Sequence, residues 1–319
     1  MAEAIRGPAA APLYLGIDGG GSRCTAVLAT SSASSISELG RGHGGPANAG
    51  TVGIPAATAS VDEAIEEAFA AAGLNRVSVA AACLGLAGAG RAAVREEWDA
   101  WAHRRGLASE VEVVPDGVPA FGGDGEPPWG VLVIAGTGSI VWGRRKEGSL
   151  ERCGGRGGLV GDECSGYAVA LAGLRAAVRM VDGWGPETRL FDRALIRFGV
   201  VTAADLLATL AQPGIARGRI AAFAEDVVAM AVAGDGVADR ILADATADLS
   251  QQAASLARRL GFRAGEYPLR VAGGLLCHAA LVRDGLVEKL TTAGLQPAAV
   301  IITADLAAAA VRTAARRSE

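Results

Sequence analysis

The sequence predicts an α/β protein of two related domains, in which the C-terminal half is rich in helices. Its clearest feature is an internal repeat: LGIDGGGS at residues 15–22 is matched by LVIAGTGS at residues 132–139. Between the two copies, apolar runs of strand type alternate with helical patterns, which is typical of an α/β sheet. Residues 166–260 have an almost wholly helical pattern.

Each copy of the repeat is a short apolar run that ends in a glycine turn. The runs that follow, residues 25–29 and 140–143, are predicted to be second strands. A strand, a glycine turn and a second strand therefore occur near the start of each half. Duplicated units of this kind indicate two similar domains.

The remaining elements follow in order along the chain. The pattern predicts a helix over 51–72, a strand over 77–84, a helix over 92–105 and a strand over 111–114. Residues 121–129, rich in Gly and Pro, are the predicted linker. The helical segment over 166–260 is predicted to be broken at 183–186 and 212–214. After it, a predicted strand over 269–272 leads into Gly273, Gly274 and a helix. A last predicted strand over 300–302 precedes an alanine-rich helix that ends at Arg317.

The composition excludes several classes of protein. With a net charge of −4 and a pI of about 5.6, the 319-residue chain has no basic excess of the kind that nucleic-acid binding needs. The mean hydropathy of +0.31 reflects alanine, because no continuous run of about 20 apolar residues is present. We expect no membrane span, and since the start of the chain lacks an apolar signal region, we expect a cytoplasmic protein.

Two further features of the sequence exclude particular kinds of binding site. The sequence has no Gly-Lys pair, so a Walker A loop is ruled out. Its cysteines are odd in number and widely spaced, which predicts reduced thiols rather than disulfides, a zinc site or a cluster. They are Cys24, Cys83, Cys153, Cys164 and Cys277.

The glycine turns are the first candidate site. In the turn that contains Asp18, three glycines allow backbone N–H groups to approach a phosphate, and a carboxylate beside phosphate suggests an intervening Mg²⁺. The second copy has Ala135 in place of Asp18, so the pair offers one carboxylate and two glycine loops for one polyphosphate. The alternative is an ordinary hairpin turn in each copy. The pair Gly273-Gly274 either admits an adenine or ribose against the backbone or simply starts a helix.

Polar residues in three predicted loops are the remaining candidates for the functional site. Asp116 ends a predicted strand, Asp162 lies in a glycine-dense loop before a helix, and Asn48 ends another glycine-rich loop. Asp162 as a helix N-cap and Asn48 as a turn residue are the alternatives. A competing motif is GAGRAA at residues 88–93, which has the outline of a dinucleotide fingerprint but falls in an alanine-rich chain where such matches arise by chance.

Taken in order, these motifs resemble the actin-like ATPase and sugar kinase superfamily, and within it the N-acetylglucosamine kinase branch that is grouped with the BadF/BadG/BcrA/BcrD ATPases. Residues 17–22 resemble the first phosphate motif, residues 134–139 the second, and residues 271–274 the adenosine motif. Residues 45–48, 85–88 and 161–167 resemble segments that are typical of the branch.

The resemblance implies two actin-like (ribonuclease H-like) domains with a cleft between them, over residues 12–117 with 303–319 and over residues 118–302. It implies ATP-dependent phosphorylation of an amino sugar at its 6-hydroxyl, with N-acetylglucosamine as the leading substrate, and we expect a homodimer. Asp116 would be the general base. Asp18 would organise Mg²⁺ through water. Sugar contacts would come from Asn48, Asp162, Gly136 and Thr137, phosphate contacts from Gly20, Gly21, Ser22, Thr137 and Gly138, and adenosine contacts from Gly273 and Gly274.

The chain departs from the family pattern near the sugar-binding residues. Pro115 precedes the expected base, where Asn or Thr is usual, Arg156 replaces an aromatic residue, and Cys164 replaces a glycine. Arg156 would disfavour a protonated 2-amino group, which favours the acetylated sugar over glucosamine. Asp124 and Asp162 are alternatives to Asp116 as base. An ATPase that activates a redox partner and a non-catalytic sugar sensor are the other functions considered.

Overall fold

Each half of the chain builds a five-stranded mixed sheet, and the two sheets have the same strand order. The computed structural model describes residues 11–32, 35–122, 126–212 and 214–317. The chain forms two compact units, Met1–Asp124 with Asp305–Glu319 and Gly125–Ala304. The predicted α/β fold with a helix-rich C-terminal half is confirmed.

The first unit carries the first copy of the repeat. Its elements are β1 (Leu13–Gly19), β2 (Cys24–Ser32), β3 (Ser35–Gly44), α1 (Ala49–Val52), α2 (Ile54–Ala71), β4 (Val79–Leu86), α3 (Ala92–Arg104), β5 (Ala108–Pro115), a 3₁₀ helix (Val118–Gly122) and, at the C-terminal end of the chain, α12 (Leu306–Arg317). The sheet order is β3-β2-β1-β4-β5. Strands β1, β4 and β5 are parallel, whereas β2 and β3 are antiparallel to their neighbours.

The second unit repeats this sheet and adds helices. Its elements are β6 (Gly130–Ala135), β7 (Ser139–Arg144), β8 (Leu150–Gly154), α4 (Gly166–Val181), α5 (Leu190–Phe198), α6 (Ala203–Leu210), α7 (Arg217–Ala221), α8 (Ala224–Val232), α9 (Gly236–Arg259), β9 (Pro268–Ala272), α10 (Gly274–His278), α11 (Ala280–Thr292) and β10 (Ala299–Ile302). The order β10-β9-β6-β7-β8 matches that of the first sheet, with β6, β9 and β10 parallel.

Strand β1 has helices on both faces, as its residue pattern requires. Leu15 and Ile17 are fully buried on the side of α2 and α3, and Tyr14 is buried on the side of α12. Gly16 also faces α12, where an added Cβ would lie 2.3 Å from the carbonyl oxygen of Ala307. The helix therefore packs directly on the backbone of β1, next to the glycine turn.

Strand β3 was missed by the sequence pattern, and its packing explains why. Every second residue of its last part is a glycine, which in the sequence is typical of a loop. In the structure these glycines face α2, whose backbone lies against the strand. An added Cβ on Gly40, Gly42 or Gly44 would lie 2.2, 2.1 or 2.0 Å from the carbonyl oxygen of Ala68, Ala64 or Ser60 respectively.

The structure also refines other predicted elements. The predicted helix over 51–72 is two helices, separated by Gly53 with a φ of 79°. Strand β8 was not predicted, and the long helical segment has further breaks, including one at Gly199, which is left-handed with a φ of 70°. Residues 118–122, which the resemblance places in the second domain, form the 3₁₀ helix and lie in the first unit. There, the Arg316 side chain donates a hydrogen bond to the carbonyl oxygen of Gly122. None of the helices in the described ranges is long and apolar enough to span a bilayer.

Candidate active site

The first unit gathers its candidate residues at one edge of the sheet. Asp18 of β1 pairs with Gly85 of β4, and Leu86 pairs with Pro115 of β5. Because the three strands are parallel, Asp18, the segment after β4 and Asp116 all lie at their carboxyl ends, where ligands bind in open α/β sheets. An added Cβ on Gly85 would lie 3.3 Å from the carbonyl oxygen of Asp116. A glycine at this position therefore keeps the ends of β4 and β5 close.

The glycine turn after β1 is held by backbone hydrogen bonds. The N–H of Gly20 donates to the carbonyl oxygen of Arg23 at 2.9 Å, and the N–H of Ala47 donates to the carbonyl oxygen of Gly20 at 3.0 Å. Gly21 is exposed, and no atom lies within 4 Å of the position of an added Cβ. The turn is thus a hairpin and also an open backbone surface of the kind that accommodates phosphate oxygens.

Burial raises the pKa of both carboxylates at this edge. The pKa of Asp18 rises to about 7, because of burial first and then the negative charges of Asp116 and Asp305, against the opposing charge of Arg23. The pKa of Asp116 rises to about 6 through burial, although backbone N–H groups at Gly117 and Asp116 lower it. Half-buried carboxylates with raised pKa values are typical of functional sites.

This edge has a donor set that fits Mg²⁺ on a nucleotide. In the ranges that the structure describes, no group of three or more His, Cys, Asp or Glu side chains could hold a metal ion by itself. Mg²⁺ commonly keeps several waters and takes one or two carboxylates together with substrate phosphates. The Asp18 carboxylate beside an open glycine turn agrees with that mode, and a cation there would offset the cost of ionising a half-buried carboxylate.

Asn48 lies at the same end of the first unit. It caps α1, where its side-chain oxygen accepts from the N–H of Gly50 at 3.0 Å. The same oxygen lies 3.0 Å from the position of an added Cβ on Gly88, which has a φ of 87°. The turn role expected as the alternative is therefore present, and it fixes Asn48 against the segment that follows β4.

The second unit places its glycine turn beside the Gly273-Gly274 pair. The N–H of Gly136 donates to the carbonyl oxygen of Gly138 at 2.9 Å, and an added Cβ on Gly273 would lie 2.5 Å from the carbonyl oxygen of Ala135. Gly273, with a φ of 84°, thus lies directly on the turn, whereas Gly274 has open space on the side of an added Cβ. The parallel pairing of β6 with β9 brings the two motifs together.

Asp162 is held in an unusual backbone conformation. It has a φ of 58° and is 6% exposed, and Cys164 has a φ of 59°. These are the only described residues other than glycine with positive φ, a conformation that costs about 1–2 kcal/mol for residues with a Cβ. The N-cap of α4 is Ser165, whose hydroxyl accepts from the N–H of Ala168 at 3.0 Å. Asp162 is therefore not the helix cap.

The Asp162 carboxylate faces both the glycine turn and a cation. Its Oδ1 accepts from the N–H of Gly157 at 3.0 Å, and its Oδ2 lies 3.4 Å from Nη2 of Arg217. The same Oδ2 lies 3.1 Å from the position of an added Cβ on Gly138. Arg156, singled out from the sequence, is exposed, and none of the described carboxylates forms an ion pair with it.

Sequence reasoning missed two charged residues at these sites. Arg217 comes from α7, far along the chain from Asp162, and no local pattern marks it. Asp305 raises the pKa of Asp18, caps α12 through the N–H of Ala308 and pairs with Arg41 at 2.6 Å. Asp124, considered as an alternative base, lies outside the described residues. The GAGRAA motif leads from β4 into α3, in a sheet whose antiparallel strands exclude the parallel arrangement of a dinucleotide-binding domain.

Two sheets of identical order, each with a glycine turn between its first two strands, define the actin-like (ribonuclease H-like) fold. Residues 15–310 match the model of the BadF/BadG/BcrA/BcrD ATPase family, and the chain belongs to that family.

Known relatives of the chain include amino-sugar kinases. The N-acetylmuramic acid/N-acetylglucosamine kinase of Clostridium acetobutylicum is 30% identical over 262 residues, which are 82% of this chain and 85% of that protein. The glucosamine kinase of Vibrio cholerae is 28% identical over 236 residues, 74% of this chain and 77% of that protein. A crystal structure from Chromobacterium violaceum, provisionally described as an N-acetylglucosamine kinase, has a TM-score of 0.70 at 24% identity and covers 94% of this chain and 98% of its own. This last similarity supports the fold.

Proposed function

We propose that this chain is an ATP-dependent amino-sugar kinase that transfers a phosphoryl group to the 6-hydroxyl of N-acetylglucosamine. The observation that carries the proposal is the edge of the first sheet, where Asp18, an open glycine turn and the half-buried Asp116 lie at the ends of parallel strands. Membership of an ATPase family and the relatives from Clostridium and Vibrio support the same chemistry.

Asp116 would act as the general base. A primary hydroxyl is a poor nucleophile at neutral pH, and a carboxylate within hydrogen-bond reach orients it and accepts its proton. A pKa of about 6 suits that role, because the group is ionised at neutral pH and remains more basic than an ordinary aspartate. Pro115 restricts the backbone before it, which helps to fix the direction of the carboxylate.

We propose that Gly20, Gly21, Ser22, Thr137 and Gly138 contact the phosphates of ATP, as the family resemblance implies. The adenosine part would lie at Gly273 and Gly274, where the open side of Gly274 leaves room for it.

Asp18 would hold Mg²⁺ through water. Bound to ATP, Mg²⁺ neutralises charge that develops on the transferred phosphoryl group.

The sugar would be held by hydrogen bonds from Asn48, Asp162, Gly136 and Thr137. Asp162 offers carboxylate oxygens that accept from sugar hydroxyls. A buried carboxylate without its hydroxyl partner loses roughly 1–3 kcal/mol, so hydroxyl epimers should be rejected. Glucosamine kinase activity is the second candidate, favoured by the relative from Vibrio cholerae.

The other functions considered are less well supported. An activator of a redox partner usually carries cysteines that hold a cluster at a dimer interface, and Cys153 and Cys164 do not match that pattern in the sequence. A sugar sensor has no need of Asp116. The cytoplasmic location and the homodimer stay predictions.

The test is turnover by the purified protein. ADP release is measured with ATP and Mg²⁺ against a panel of neutral and amino sugars, and the position of the new phosphate is assigned by NMR. We expect N-acetylglucosamine 6-phosphate as the main product. ATP hydrolysis without a phosphorylated sugar would contradict the proposal.

A further inference from the structure

Arg217 is the cation closest to the proposed sugar-binding carboxylate. Its Nη2 lies 3.4 Å from Oδ2 of Asp162, and its guanidinium group lies over the ring of Tyr167, 4.5 Å from the ring centroid. Tyr167 belongs to α4, which begins directly after the Asp162 loop. The arginine thus makes an ion pair and a cation–π contact at once, and both restrict the orientation of its planar group.

A glycine makes room for this arrangement. An added Cβ on Gly158 would lie 2.2 Å from Nη2 of Arg217 and 3.0 Å from Cδ1 of Tyr167. The glycine-dense loop therefore passes directly beneath the stacked pair. The same loop supplies the N–H of Gly157 to the other oxygen of Asp162. One oxygen of the carboxylate is consequently held by the loop and the other by a side chain of the helical insertion.

Only one of the two carboxylate oxygens of Asp162, Oδ2, has a cationic partner among the described residues, namely Arg217. Its side chain is 9% exposed, whereas that of Arg217 is 43% exposed and can adjust to a bound ligand. Glu163, the neighbouring acid, is directed elsewhere, since its Oε2 accepts from Nε2 of Gln252 at 2.7 Å. The Asp162–Arg217 pair therefore sets the local charge beside the second glycine turn.

We propose that Arg217 is a positioning and specificity-determining residue, which fixes the Asp162 carboxylate and offsets its charge so that the site accepts a neutral, N-acylated amino sugar in preference to one with a protonated amine. The inference rests on the proposed kinase function and on the role of Asp162 in it. It assigns to Arg217 the discrimination that the sequence alone attributed to Arg156.

The physical reason is the charge that a ligand meets. A carboxylate without a cationic partner attracts an ammonium group, whereas a paired carboxylate still accepts hydrogen bonds from neutral hydroxyl or amide groups. The attraction acts beyond direct contact, because charges in a partly buried site are weakly screened. Removing the cation therefore raises the relative affinity for the protonated amine wherever on the sugar that group lies.

The experiment compares two sugars with matched arginine variants. Values of kcat and KM are measured for N-acetylglucosamine and glucosamine, at a pH where the amine is protonated, in the wild type and in Arg217→Gln, Arg217→Lys, Arg156→Gln and Arg219→Gln. Arg219 is the control, because it is an exposed arginine on the same helix for which no described acid is an ion-pair partner. Thermal melting verifies that each variant is folded.

We expect Arg217→Gln to raise the ratio of kcat/KM for glucosamine over that for N-acetylglucosamine by about tenfold or more. The change should lie mainly in the KM for sugar, with the KM for ATP unaltered. Arg217→Lys should restore most of the ratio, since it returns the charge without the planar group. Arg219→Gln should leave the ratio at the wild-type value.

Three results would overturn the inference. In the first, Arg217→Gln slows both sugars equally, which is the behaviour of a merely structural residue. In the second, Arg156→Gln shifts the ratio and Arg217→Gln does not. In the third, the wild type prefers glucosamine. If Arg217→Gln does not fold, Arg217→Met is measured in its place, since Met keeps an aliphatic side chain and lacks the charge: a raised ratio supports the charge effect, and an unchanged ratio contradicts it. A wild type that phosphorylates neither sugar refutes the proposed function instead.

Discussion

Replacing Asp116 with Asn removes the proposed base and keeps the shape of the side chain. The carboxylate has a pKa of about 6 because it is half-buried at the end of β5, so at pH 7.5 it is ionised in more than about nine-tenths of the molecules. Asn cannot accept the proton of the sugar hydroxyl. A general base contributes ~10²–10⁴-fold, and kcat should fall by that factor.

The pH profile gives an independent measure of the same group. Because the ionised form is the base, kcat/KM of the wild type should fall about tenfold per unit as the pH drops below about 6. At saturating Mg²⁺ and ATP, where the cation would keep Asp18 ionised, Asp116→Asn should lack this acidic limb, since its side chain does not titrate. The assay is steady-state ADP release from pH 5 to 8, with sugar affinity measured in parallel by calorimetry.

The control is Glu110→Gln, the equivalent change at an exposed position of the same strand β5. It should retain wild-type kcat and the acidic limb. Sugar affinity should change little in either variant, because the role of Asp116 is in the chemical step. An Asp116→Asn variant that retains more than about a tenth of wild-type kcat would refute the assignment.

Three further outcomes test other parts of the structure. Asp18→Asn should lower kcat strongly and weaken the Mg²⁺ dependence of nucleotide binding, while calorimetry without nucleotide shows unchanged sugar affinity; an equal loss of sugar affinity would contradict its role. Asp235 caps α9, and although burial alone would raise its pKa, hydrogen bonds from backbone N–H groups and from Thr188 lower it. The ionised carboxylate therefore stabilises the fold above its ordinary pKa, and this effect is lost as the pH falls through the lowered value. In urea unfolding, Asp235→Asn should lower the free energy of unfolding by about 1–3 kcal/mol at pH 7 and by less at acidic pH. A decrease that does not depend on pH would contradict this. Gly42→Ala should lower the free energy of unfolding by about 1–3 kcal/mol, because its Cβ would meet the backbone of α2 at 2.1 Å, whereas Gly236→Ala, with open space, should not destabilise.

The duplicated strands were predictable because their signal is local. An apolar run followed by glycines, present twice, is sufficient to identify β1 and β6 and the turns that follow them. Strand β3 was not predictable in this way. Gly40, Gly42 and Gly44 are required by the close approach of α2, and that requirement depends on a contact between elements, which no window of sequence contains.

Some residues of the candidate site could likewise be predicted from the sequence, and others could not. Asp18 lies at the end of β1 and Asp116 directly after β5, and parallel strands bring their ends to one edge, so their proximity could be predicted from the order of elements. Arg217 could not be predicted, because α7 is part of a helical insertion whose position relative to the Asp162 loop is determined by packing in the second unit. A charged residue in such an insertion has the same local pattern as an ordinary surface arginine.

Cys164 replaces a glycine of the family pattern, in the loop that holds Asp162. At a φ of 59° a glycine would avoid the strain of about 1–2 kcal/mol that a Cβ introduces. Glycine would, however, leave unfilled the space that the cysteine side chain occupies in the core of the second unit. Burial of the side chain offsets the strain locally, so the left-handed turn is kept and the carboxylate two residues earlier remains directed at Arg217. In this chain, the burial of Cys164 therefore helps to stabilise the loop conformation in which Asp162 faces Arg217.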